Sequence, residues 1–327
     1  MVTYLCRGNA KVEHEENHTV IFQEPAPLTR LLSLAIAFCI LLSTSLAWAD
    51  GAAEARNKLD DEYISFTAEK YFNYVFMNDV EMVRLFLDGG MAINSVDAQG
   101  RGALHFAAGA DDGKLLGLLL DRGADVNLGD QNNTTPLCVA ADNGIVDNVA
   151  LLLRAGADLG ARCGVDRNTP LHVAASRGHG SVVKVLIQAG ASLEAGNRLA
   201  NTPLHAAIPG ENTSVLQQLL QAGADVAAKN RAGETPLHIA VTRQLPGMAK
   251  TLLAAGAPLE ARNARGATPL WLAANFDAAE MAQLLIAAGA DPGAKASDGD
   301  TPMQIAEKAR SARVIAILRN APRAAVP

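Results

Sequence analysis

Only four cysteines occur in 327 residues, and no two of them form a Cys-x-x-Cys pair. Neither a dithiol redox motif nor a paired-cysteine zinc knuckle is therefore encoded. The sequence also has no acidic calcium loop and no Gly-x-Ser-x-Gly nucleophile elbow. Its glycine-rich patches, such as Gly109-Ala110-Asp111-Asp112-Gly113, are not followed by Lys-Ser or Lys-Thr, which argues against a phosphate loop. Basic charge is short as well: 28 Lys and Arg stand against 34 Asp and Glu, a net charge of −6. That balance is the wrong sign for a protein that neutralises nucleic-acid phosphates.

What the chain has in abundance is repetition. A phrase that reads Thr-Pro-Leu-His-x-Ala-Ala in its fullest copy, Thr169 to Ala175, starts at Gly102, Thr135, Thr169, Thr202, Thr235, Thr268 and Thr301. The steps are 33 residues, with one of 34 between Thr135 and Thr169. A second marker keeps register with it, from Gly123-Ala124-Asp125 through Gly156-Ala157-Asp158, Gly190-Ala191-Ser192, Gly223-Ala224-Asp225 and Gly256-Ala257-Pro258 to Gly289-Ala290-Asp291. Periods of this length mark stacked repeats, not one globular core.

Each unit has a physical reading. Threonine at the head of the phrase predicts a helix N-cap, and the proline after it suits the first helical turn, where its missing N–H has no partner to lose. The short helix that follows is rich in alanine, so neighbours can approach closely. A second helix carries a wider apolar stripe, for example Val182, Val183, Val185, Leu186 and Ile187, and stops at Gly190. The polar stretch from Gly190 to Asn201 predicts an extended finger leading to the next helix pair. One such unit cannot bury its stripe alone, so the stack is the fold.

The two in-phase motifs resemble those of the ankyrin-repeat family over roughly residues 63 to 320. The resemblance implies an all-α ankyrin-repeat solenoid of helix-turn-helix units with β-hairpin-like fingers. On this reading residues 62–322 form about eight units: an N-terminal cap over 62–96, full repeats over 97–295 and a C-terminal cap over 296–320, with a tail over 321–327. The first unit lacks the phrase but holds Tyr63, Phe66, Tyr71, Phe72, Tyr74 and Phe76. Two readings stand for these rings, closure of the end of the stack and an aromatic binding patch.

Residues 1–49 read as a leader, because residues 31–49 carry no charge and Ala47-Trp48-Ala49 places small residues two apart before Asp50. Cleavage is expected after Ala49, with residues 50–61 as a linker, and the mature protein periplasmic or secreted. The acidic residues Glu13, Glu15, Glu16 and Glu24 make residues 1–30 a poor n-region, which a translation start nearer Val20 or Leu28 would explain. The alternative is an uncleaved single-pass anchor facing out of the cytoplasm, since nineteen residues lie at the short end of a membrane span.

Chemistry is hard to find. Thr169 with His172, Thr202 with His205 and Thr235 with His238 look like nucleophile and base, yet a pair recurring every 33 residues belongs to the repeat. Histidines in different layers do not converge on one ion, so no cofactor or metal is expected and no enzymatic activity. By resemblance, a partner protein is gripped on the concave face by finger tips and first-helix ends. There the chain offers Arg101, Arg177, Arg198, Arg231, Arg243 and Arg265 in the company of Arg167, Lys229 and Arg262, with Asp166 and Glu234 as exceptions. This basic stripe on an acidic protein reads either as a solvated surface or as a site for an acidic partner protein. Trp271 and Phe276 are the aromatic anchor candidates, with packing between units as the other reading of Trp271. Asn197, Asn230 and Asn263, 33 apart, read as turn residues.

Cys138 takes the histidine place in the second phrase. In ankyrin relatives that side chain reaches the start of the following finger, and Cys163 lies there, in the linker with the extra residue. The resemblance and an oxidising compartment together imply a Cys138–Cys163 disulfide. The expected function is non-catalytic protein binding outside the cytoplasm. A secreted effector acting on a host protein, or an accessory factor for a periplasmic enzyme, are the alternatives.

Overall fold

The computed structural model describes residues 49–321. The chain divides into two units at Ala53 and Glu54. Only residues 49–53 of the first are described, and they are helical. Residues 31–48 of the apolar run thus lie outside the described residues, whereas Ala49 and Asp50, which flank the expected cleavage point, are described and helical. No helix among the described residues is long and apolar enough to cross a membrane.

In the second unit, residues 54–61 are helical and Leu59 is fully buried. Sixteen further helices follow in eight pairs. The first helices of the pairs are α1 (Ala68–Phe76), α3 (Ala103–Ala108), α5 (Pro136–Asn143), α7 (Pro170–Arg177), α9 (Pro203–Ala207), α11 (Pro236–Thr242), α13 (Pro269–Asn275) and α15 (Pro302–Ala309). The second helices are α2 (Val80–Asp88), α4 (Lys114–Asp121), α6 (Val146–Arg154), α8 (Gly180–Gln188), α10 (Thr213–Gln221), α12 (Pro246–Ala254), α14 (Ala279–Ala287) and α16 (Ala312–Arg319). First helices pack on first helices and second on second, while each pair packs on itself. The described residues contain no named strand, only isolated bridges at Val96–Gly102 and Cys163–Asn168 in two fingers.

The local signals explain these boundaries. Thr169, in extended conformation, caps α7 through its hydroxyl, which accepts from the His172 N–H, and Pro170 opens the helix. Beyond α8 the chain turns at Gly190, whose φ of 90° is a left-handed conformation that a side chain would strain. Alanines such as Ala140, Ala174, Ala207 and Ala240 are buried on the first helices, and Leu119, Leu152, Leu186, Leu219, Leu252 and Leu285 recur at one core position of the second. One continuous core results, running from Leu59 to Leu318.

The N-terminal unit divides its rings between the two readings. Tyr71 and Phe86 are fully buried, and Phe66, Phe72 and Tyr74 pack around them. Burial pushes the Tyr71 phenol above its usual range. Tyr63 and Phe76 stay outside, 97% and 78% exposed. End closure is thus the work of five rings, and Phe76 is left to the surface.

Candidate functional site

The fingers are built on one side-chain device. At five tips Asp97, Asp130, Asn197, Asn230 or Asn263 accepts hydrogen bonds from the backbone N–H groups two and four residues on. Asn197 binds Leu199 and Asn201 at 2.9 and 3.1 Å, Asn230 binds Ala232 and Glu234 at 2.9 and 3.0 Å, and Asn263 binds Arg265 and Ala267 at 2.9 and 3.1 Å. These asparagines therefore hold turns, as Asx residues do. Successive tips are then tied together by single backbone bonds: Arg198 N–H to Asp166 O (2.7 Å), Arg231 N–H to Leu199 O (2.8 Å), Ala264 N–H to Ala232 O (2.9 Å) and Ser297 N–H to Arg265 O (3.1 Å). The side chains between these bonds stand side by side on a fixed track.

The threonine–histidine pairs are part of the scaffold. Thr169 and His172 meet at 2.7 Å, Thr202 and His205 at 2.9 Å, and Thr235 and His238 at 2.8 Å, all buried. In each, Nδ1 accepts from the backbone N–H of the threonine, so the proton sits on Nε2. Nε2 then donates across to the next finger: His105 to Thr134 O (2.9 Å), His172 to Asn201 O (2.7 Å), His205 to Glu234 O (3.1 Å) and His238 to Ala267 O (3.2 Å). Burial pushes the His172 imidazole down to about 4 and holds His205 and His238 below the usual value. Every ring nitrogen is engaged in its own layer, which leaves none poised for proton transfer.

Cys138 and Cys163 are bonded, with Cα atoms 6.4 Å apart, inside the usual range for a disulfide. With Ala161 they form a small buried cluster of their own. The bond spans the gap that histidine spans in other repeats.

A scan against protein-family descriptions matches ankyrin repeats over residues 72–163, 159–230, 208–296 and 237–324. The chain belongs to the ankyrin-repeat family. Among solved structures it is similar to the ankyrin-repeat domain of Bcl-3, a member of the IkappaB family. The TM-score is 0.62 and the identity 30%, covering 68% of this chain and all of that one. Among curated proteins it is 40% identical over 79 residues to the E3 ubiquitin-protein ligase KEG of Arabidopsis thaliana, 24% of this chain and 5% of that protein. It is 37% identical over 86 residues to the nuclear factor NF-kappa-B p105 subunit of Gallus gallus, 26% and 9%. It is 36% identical over 105 residues to protein phosphatase 1 regulatory subunit 27 of Mus musculus, 32% and 68%. The matched stretch spans less than a tenth of the first two of these relatives. Ankyrin repeats are a protein–protein interaction scaffold, typically non-catalytic, and that coarse function is this chain's.

The site residues read from the sequence of this ankyrin-repeat protein fall into three groups. Arg101, Arg177 and Arg198 are already paired: Arg101 lies 2.8 Å from Asp97 and stacks over Phe106, Arg177 lies 2.7 Å from Asp142, and Arg198 lies 3.5 Å from Asp166. Burial alone would raise the Asp97 carboxyl, but hydrogen bonds from Arg101 and Gln99 outweigh it and hold it below its usual value. Arg231, Arg243 and Arg265 are exposed, and among the described residues no hydrogen bond or ion pair engages their guanidinium groups. The aromatic pair is split. Phe276 caps α13 and is 45% exposed, whereas Trp271 is 9% exposed, inside the core. Trp271 is accordingly corrected from surface anchor to packing residue, because its ring follows the inward histidine position of the phrase.

Two features escaped the sequence reading. Arg162 joins Arg167, Arg198 and Arg231 around one hollow; it stands at the finger position of Lys229 and Arg262, and like them it donates to a carbonyl of the next finger. Phe76 and Phe106, with Arg101 and Val139, line a hollow of about 360 Å³ on the first-helix side of the N-terminal units. Phe76 stands among the N-terminal rings in the sequence, but its meeting with Phe106, ring centroids 6.5 Å apart, crosses a layer of the stack.

Proposed function

We propose that the protein is an exported, non-catalytic adaptor that binds an acidic partner protein along its finger tips and first-helix ends. The observation that carries this reading is the track of backbone-tied tips, which presents exposed Arg231 and Arg265 at fixed spacing beside Arg243 and Phe276 on the helix ends. Tips held by backbone bonds lose little loop freedom on binding, and Arg forks suit carboxylates. The hollow at Phe76 and Phe106, which Arg101 and Val139 also line, supplies a second, more apolar foothold of the kind that carries binding energy. The bonded Cys138 and Cys163, together with the uncharged run of residues 31–49, support a place outside the reducing cytoplasm.

The test is photo-crosslinking in the native cell. A photoreactive amino acid at Arg243 or Phe276 is expected to capture a partner protein, and one at Lys184, exposed on the second helix α8, is not. Mass spectrometry of the product also reads the N-terminus, expected at Asp50. Capture from Lys184 alone, or a product with its leader intact in the cytosol, would overturn the binding face and the export respectively.

A further inference from the structure

Between the fourth and sixth fingers lies a hollow of about 240 Å³ lined by Arg162, Arg167, Gly196, Asn197, Arg198 and Arg231. Four guanidinium groups from three successive fingers meet there, each a permanent charge. Arg162 is braced, its Nη1 donating to Gly196 O at 2.6 Å. Arg198 shares its charge with exposed Asp166 at 3.5 Å, a contact weak enough in water to be exchanged for another carboxylate. Among the described residues nothing engages the guanidinium of Arg167 or Arg231. A second hollow that shares Arg162 and Arg167 with the first is lined by Asp158.

Arg167 carries a second signal. It sits at the left-handed position of its tip, φ 55°, which Asn133 and Ala200 take in the adjacent tips at φ 58° and 57°, and Gly233 and Gly266 take further on at φ 70°. That conformation favours Asn or Gly over a long side chain, and Arg167 places its cation there at the mouth of the hollow. The gathered charges repel one another, and an anion placed among them removes that repulsion as it forms charge-assisted hydrogen bonds.

The shape of the charge decides what kind of anion. Hydrogen-bonded backbones lie about 5 Å apart, and the tip-to-tip bonds at Arg198 and Arg231 continue through Ala264 to the tip of Arg265. The cations thus form a line that starts in the hollow and runs on along the tips. A lone phosphate fills one point of such a line, whereas successive side chains of an extended peptide follow it.

We propose that the hollow anchors an acidic segment of the partner protein, one Asp or Glu carboxylate seated between Arg167, Arg198 and Arg231 and its neighbours following the tips toward Arg265. This rests on the partner-face reading and names the recognised chemistry. The experiment uses the full oxidised chain and a fluorescein-labelled deca-glutamate peptide, followed by fluorescence anisotropy at low salt, with deca-glutamine and inorganic phosphate as competitors. The R167G/R231Q variant removes two cations and places a glycine at a left-handed position, as Gly233 and Gly266 stand in later tips, so its melting temperature is expected to match the parent's. Its affinity for deca-glutamate is expected to fall tenfold or more. The charge-matched K184Q/R319Q variant, altered on second helices, is expected to lose less than twofold. Equal losses in the two variants, no binding of deca-glutamate, or displacement by phosphate at concentrations no higher than those of unlabelled deca-glutamate would each overturn the proposal. Absence of peptide binding while cross-links from Arg243 and Phe276 persist strikes this proposal alone. Peptide binding retained while those cross-links are lost strikes the partner-face reading.

Discussion

Cys138 and Cys163 tie the first helix of one repeat to the finger that follows it, and they do so across the gap that His172 crosses to Asn201 in the next repeat. A covalent bond has taken the place of a hydrogen bond at one layer of a stack that keeps the imidazole at His105, His172, His205 and His238.

The bond should therefore matter to stability and little to shape. With 25 residues between the cysteines, the chain-entropy relation gives about 3 kcal/mol of stabilisation. Denaturant unfolding of the oxidised protein against its C138S/C163S variant should show a difference of that order, and the unreduced native protein should contain no titratable thiol at these positions. A C138H variant, which restores the ring, should recover part of the loss. Equal stability with and without the bond would mean that the layer is held by its packing.

Acid should weaken the stack through its histidines. The imidazole of His172 starts from 6.5 in the unfolded chain and lies at about 4 in the fold. Below pH 6.5 the unfolded chain takes up a proton that the fold refuses, so stability falls as pH drops, and the loss is complete below about pH 4. Two and a half units correspond to about 3 kcal/mol. The H172Q variant keeps an acceptor for the Thr169 N–H, as Gln304 does for Thr301 at 2.9 Å. Its stability should drop less between pH 6.5 and 4 than the parent's, measured by urea unfolding at the two pH values. Parallel curves would show that His172 is solvated enough to titrate normally.

Trp271 and Phe276 should separate core from surface. Truncating the buried ring, W271A, should cost about 3–5 kcal/mol. F276A, at a half-exposed helix end, should change stability by less than about 0.5 kcal/mol and weaken partner binding about tenfold, read by titration of the captured partner. A stable W271A protein with poor binding would reverse the two roles.

The repeat length, the helix pairs, the threonine caps and the Asx turns were all legible in the chain, because each depends on residues within about one period of one another. His172 and Gly190 announce their roles by spacing alone. The relations across repeats were not legible in the same way. Arg177 looks as free in sequence as Arg243, yet it reaches Asp142, 35 residues earlier, while Arg243 finds no carboxylate. Trp271 looks like an anchor until the stack turns its position inward. Arg162 reaches the hollow by donating to Gly196 O, in the finger stacked beside its own. Period and capping are local and therefore written in the chain, whereas the pairing of charges depends on how one layer is offset from the next, which packing alone decides.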